Sequence, residues 1–110
     1  MIYVSPFVRT EETAKIIADI LKLDQSKIVT DDRLHEIYAG TFDGKTDTEY
    51  QRYFSNSLEK FTKNFPGGEN YTQVKNRMTE FIYDINAKNK DKTIGIIWEK
   101  LAIVLTVLVV

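Results

Sequence analysis

The chain has no cysteine among its 110 residues, so neither a disulfide framework nor a thiolate metal site can form. It has a single histidine, His35, whereas zinc and iron centres draw several nitrogen or carboxylate ligands from different elements. No metal and no cofactor are expected. Charge of one sign is also missing: fifteen basic residues against sixteen acidic ones leave a net charge of −1. The basic residues are scattered singly, which leaves no cationic stripe for nucleic acid. There is no apolar segment at the N-terminus of the kind that directs secretion, so a cytoplasmic location is expected. The run "LAIVLTVLVV" at residues 101–110 is well short of the roughly twenty residues a spanning helix needs, so no membrane anchor is expected. What is present, 43% hydrophobic and 28% charged residues, suits one domain with a modest core.

The chain alternates strand and helix signals without an internal repeat. Residues 2–4 form a short β-rich run. From Thr10, the residues Ala14, Ile17, Ala18 and Leu21 fall at i, i+3, i+4 and i+7, which places them on one helical face. Thr10, Glu11 and Glu12 suit a helix start, because carboxylates in the first turn complement the positive end of the dipole. Residues 27–30 predict a second strand, and "LHEIYAGTFDGKT", with two glycines, a loop. A helix is expected over 46–63, its apolar contacts supplied by Tyr50, Tyr53, Phe54, Leu58 and Phe61. Pro66-Gly67-Gly68 then breaks the chain. The clearest helix runs from Asn70 to about Asn89, with Val74, Met78, Phe81, Ile82 and Ile85 on one face and Glu69 near its start. Residues 93–97 read as a buried strand.

Strands separated by helices indicate an α/β fold with a mostly parallel sheet, and ligands of such sheets bind at the carboxyl ends of the strands. Ser5 and Arg9 lie just past such an end and beside a helix start, where backbone N–H groups favour an anion and a guanidinium adds a bidentate fork for phosphate. An exposed arginine at a helix start accounts for the same pattern, and position alone leaves both readings open.

Four stretches resemble, in order, segments of the histidine phosphatase superfamily, also called the phosphoglycerate mutase-like family. "VSPFVRTEETAKIIA" resembles its Ser-Pro-x-x-Arg segment, "LHEIYAGTFDGKT" its Leu-x-Glu-x-x-x-Gly segment, and "PGGENYTQVKNRMTEFI" its Gly-Glu-Ser-x-x-x-Val-x-x-Arg helix start. "KTIGII" resembles the strand leading to the family's second catalytic histidine. Together they cover most of residues 2–97, a partial domain, with residues 98–110 an atypical tail.

The resemblance implies a three-layer fold with helices on both faces of the sheet. It implies transfer of a phosphoryl group from a small phosphorylated metabolite through a phosphohistidine, with positive groups neutralising the oxygens and a carboxyl acid protonating the leaving oxygen. Arg9, with Ser5, matches the phosphate-binding positions, inorganic phosphate being the simplest ligand. Glu36 matches the general acid, and is otherwise an ordinary loop carboxylate. Glu69 and Arg77 match motif positions that dipole compensation and surface pairing also explain. The segment between Gly44 and Phe65 is expected to cover the pocket and carry specificity.

The departures concern the chemistry. The 110 residues contain no Arg-His-Gly and no Ser/Thr-His-Gly, and His35 belongs to neither motif, so it is expected to be a loop residue. The chain as written is expected to show no turnover, and a non-catalytic phosphate-binding module is the alternative. After "TIGII" the family pattern stops at Trp98. The tryptophan codon TGG lies one base out of frame within CAT-GGN, which encodes His-Gly, so a reading-frame shift near Ile97 is one account of the tail. A buried strand over 101–110 is the competing one.

Overall fold

The structure, a computed structural model, describes residues 1–98 and the backbone of 107–108. The chain divides into two compact units, Met1–Glu36 with Glu80–Val110, and Ile37–Thr79.

The first unit is built on a sheet. Strands β1 (Ile2–Val4), β2 (Ile28–Thr30) and β3 (Thr93–Ile97) are parallel, β1 lying between the other two, and β4 (Val107–Leu108) pairs antiparallel with β3. The register aligns Ile2 with Ile28 and Gly95, and Val4 with Thr30 and Ile97. Because strand side chains alternate between faces, Ile2, Val4 and Ile97 share one face and Tyr3 and Ile96 the other. Helix α1 (Val8–Ile20) covers the first face: Ala14 and Ala18 are fully buried there with Ile2, Val4 and Ile97, flanked by Ile17 and Ile28. The two alanines let the helix backbone approach the strands closely.

Helix α3 (Tyr71–Lys88) covers the other face with its second half. Phe81 meets the Tyr3 ring edge-on, centroids 5.5 Å apart, and Asn89 Nδ2 donates to Tyr3 Oη at 2.9 Å and to the Ile85 carbonyl at 3.0 Å. The first unit is therefore a three-layer α/β arrangement with a mostly parallel sheet, as expected.

Helix α1 begins at Val8, two residues before the expected start at Thr10, with Phe7 as its uncapped entry. Thr10 is turned inward instead: its hydroxyl lies 2.8 Å from the Ser5 carbonyl and 2.9 Å from that of Phe7. The helix ends with Lys22 in the left-handed region, φ 54°, where Lys22 N–H donates to Asp19 O and Leu23 N–H to Ala18 O. That pair of bonds closes the last turn, a job most often given to glycine. The second strand is shorter than expected, since Gln25–Lys27 form a turn of 3₁₀ helix capped by Asp24.

In the second unit the helix expected over 46–63 is broken. Helix α2 (Asp47–Tyr53) starts with a reciprocal capping box between Thr46 and Glu49 and stops before Phe54. A separate 3₁₀ turn, Ser57–Phe61, follows because the Asn56 side chain accepts the N–H groups of Leu58 and Glu59 and so starts a new element. Of the residues expected to supply apolar contacts, Tyr50, Tyr53 and Phe54 do so, clustering with Phe42 and Phe65, Tyr53 and Phe65 stacked at 5.3 Å, while Leu58 and Phe61 are exposed. Asn70 caps α3, accepting Gln73 N–H while Gln73 Oε1 accepts its own.

The expected loop around residues 34–45 is present and is tied at backbone level to the Pro66-Gly67-Gly68 turn. Thr41 N–H donates to the Pro66 carbonyl at 3.0 Å and Glu69 N–H to that of Tyr38 at 2.7 Å. A Cβ on Gly40 would lie 2.1 Å from the Pro66 oxygen, and one on Gly68 would lie 2.1 Å from the Tyr38 oxygen. Glycine at both positions is what allows the two segments to touch.

No helix among the described residues is long and apolar enough to cross a membrane. In the tail, residues 99–106 and 109–110 lie outside the described residues, and with them both accounts of 98–110 as a whole.

Candidate functional site

At the carboxyl end of β1 the chain turns through Ser5-Pro6-Phe7 into α1. Ser5 N–H continues the ladder by donating to Ile97 O at 3.2 Å, so this turn sits at the shared carboxyl ends of β1 and β3. The Ser5 side chain is fully buried, and its hydroxyl donates to Thr10 Oγ1 at 3.0 Å. Together with the Thr10 contacts to the Ser5 and Phe7 carbonyls, this locks the turn internally. Ser5 therefore fixes the backbone of the turn and directs its own hydroxyl to Thr10.

Arg9 is the second residue of α1 and is exposed, with its guanidinium carbon 4.9 Å from the centroid of the Phe7 ring. The aromatic face attracts the guanidinium and orients it. His35 reaches the same ring, its centroid 4.8 Å from that of Phe7, and its Nδ1 donates to the Glu36 carbonyl. The fold thus brings Arg9 and His35 to one aromatic side chain, with Glu36 next in the chain. Phe7 carries no expectation from the sequence, and Thr10 is expected there only as a helix start. The readable signal was an aromatic residue inside the Ser-Pro-x-x-Arg turn, two positions before the arginine.

The approach to His35 and Glu36 is clamped. Arg33, two residues upstream, donates from Nε and Nη2 to the two Asp31 carboxylate oxygens at 3.0 and 2.7 Å, and from Nη2 to Asp84 on α3 at 2.8 Å. Its guanidinium also lies over the Phe81 ring, 5.4 Å from the centroid. Hydrogen bonding to Arg33 holds the Asp31 and Asp84 carboxyls below the usual range, and the two carboxylates raise the guanidinium pKa further. Leu34, fully buried, follows directly.

In the second unit Glu69 and Arg77 form a bidentate pair, with side chains 19% and 16% exposed. Glu69 also accepts the Tyr38 N–H at 3.0 Å, and the Arg77 guanidinium lies over the Tyr38 ring. Surface pairing describes part of this arrangement. The rest is a half-buried brace for the loop around Tyr38, which dipole compensation does not account for.

Trp98 ends the described run at the carboxyl end of β3. Its indole N–H is buried and finds no acceptor among the described residues. Buried indole N–H groups ordinarily find one.

The family model for the histidine phosphatase superfamily (branch 1) matches residues 1–107. No curated protein matches the chain.

Proposed function

Since this chain belongs to the histidine phosphatase superfamily, we propose that the turn after β1 is a phosphate site. In this reading the chain is part of an enzyme acting on a small phosphorylated metabolite through a phosphohistidine. Arg9 takes the phosphoryl oxygens through its planar fork, Ser5 holds the turn that positions it, and Glu36 supplies the proton to the leaving oxygen. The observation that carries the proposal is the Arg9 guanidinium held against Phe7 at the carboxyl end of β1. The 110 residues contain no Arg-His-Gly, and by themselves they bind phosphate without turning it over. The Trp98 indole, where the family's second histidine motif is expected, fits the same reading.

Phosphate or vanadate at millimolar concentration should raise the melting temperature through linkage, and Arg9→Ala should remove the shift. An aryl phosphate should not be hydrolysed above the buffer rate. No shift in a folded sample, or a turnover abolished by His35→Ala, would overturn the proposal.

A further inference from the structure

A concavity lies in the first unit, lined by residues other than those of the turn after β1. It has a volume of about 380 Å³, within the roughly 300–1,000 Å³ range usual for small-molecule sites. Ile17 of α1, Leu21 and Leu23 just beyond its end, Met1 and Ile2 of the first strand segment, and Thr93 to Gly95 with Ile97 of β3 form its wall. Among the described residues the lining is almost wholly aliphatic, and Thr93 contributes a hydroxyl. Leu21, at the rim, is 60% exposed.

The rim at Met1 is cationic. The register that aligns Ile2 with Ile28 and Gly95 puts Met1 beside Lys27 on one side and Ile94 on the other. Lys92 immediately precedes Thr93, a wall residue. Burial, together with the charges of Lys27 and Lys92, lowers the pKa of the Met1 amine, as two ammonium groups close to that corner require. Both lysine side chains are exposed.

We propose that this cavity binds an aliphatic carboxylate of medium chain length, the hydrocarbon lying between α1 and β3 and the carboxylate meeting Lys27 and Lys92. The apolar wall gains from each methylene withdrawn from water, while the lysines select an anionic head over a neutral or cationic one. Its wall follows β3 from Thr93 to Ile97 and shares no residue with the Ser5–Arg9 turn of the phosphate site proposed above.

The probe is sodium decanoate below its micelle concentration, titrated into the full chain. The readouts are the fluorescence of Trp98, the sole tryptophan and the neighbour of the wall residue Ile97, and the melting temperature. Saturable binding is expected, weaker for 1-decanol and weaker still for decyltrimethylammonium. The exposed double variant Lys27→Glu/Lys92→Glu should keep the far-ultraviolet circular dichroism of the parent and bind decanoate about tenfold more weakly. Leu21→Ser should weaken both decanoate and decanol. No saturable binding of decanoate, equal binding of the cationic amphiphile, or an unchanged affinity in the folded double variant would overturn the proposal.

Discussion

Arg77 grips both carboxylate oxygens of Glu69, at 3.0 and 3.1 Å, while the same carboxylate accepts the Tyr38 N–H. One side chain thus fixes a loop 31 positions upstream and is itself fixed from a helix eight positions downstream. Arg77→Lys keeps the charge and loses the fork, and it should cost about 1–2 kcal/mol in denaturant unfolding. Glu69→Ala leaves Tyr38 N–H and Arg77 without this partner and should cost more, about 2–3 kcal/mol. Equal, negligible losses would reduce the pair to a surface ornament.

Glycine at positions 40 and 68 answers a steric demand. With a carbonyl oxygen 2.1 Å from either added Cβ, Gly40→Ala and Gly68→Ala each require backbone to move and should cost about 3 kcal/mol or more. Gly44 is the control: at φ +80° with nothing within 4 Å of the added atom, Gly44→Ala should cost only about 1 kcal/mol. Thermal melts of the three variants rank them.

Lys22 offers a change in the opposite direction. It closes α1 in a left-handed conformation, φ 54°, in which a Cβ is strained. Lys22→Gly should therefore stabilise the chain by roughly 1 kcal/mol, seen as a higher denaturant midpoint with an unchanged slope.

The Asp31 carboxyl is held below its ordinary range by Arg33, so its folded form binds a proton less readily than the unfolded form. Its contribution to stability is fully present above the unfolded carboxylate pKa, about 4, and is lost as pH falls through the lower folded value. Asp31→Asn should cost about 1–2 kcal/mol at pH 7 and make the acid limb of the stability curve shallower. An acid limb identical to that of the parent would refute the assignment.

Tyr3 buries a hydroxyl that accepts from Asn89 Nδ2. Tyr3→Phe should cost about 1 kcal/mol, tempered because Asn89 Nδ2 keeps the Ile85 carbonyl at 3.0 Å. Asn89→Ala, which strands the tyrosine hydroxyl in the interior, should cost more in the same melts.

Local periodicity made the first unit readable. Ala14 and Ala18 announce a helix face by spacing, and "TIGII" announces a buried strand by composition, so the α/β alternation was visible before any contact was known. The helix over 46–63 was misread because aromatic residues at helix-like spacing dominate the pattern. The deciding group was Asn56, whose side chain captures two backbone N–H groups and restarts the chain. At the candidate site, Arg9 was legible from its place after a strand. The convergence of Arg9 and His35 on Phe7 was not, since it depends on β2 delivering residue 35 alongside β1. The brace between Glu69, Arg77 and Tyr38 escaped for the same reason: spacing within α3 says nothing of a loop that comes earlier in the chain.

The central position of β1 has a consequence for the order of assembly. Its β2 partner arrives within the next thirty residues, but Ile2 meets Gly95 only after both units have been synthesised. During translation, one margin of β1 therefore stays open until β3 emerges, and the most buried strand is among the last to be sealed. Throughout that interval an exposed apolar strand edge is available to other nascent chains, so the yield of folded protein should depend on how quickly β3 leaves the ribosome.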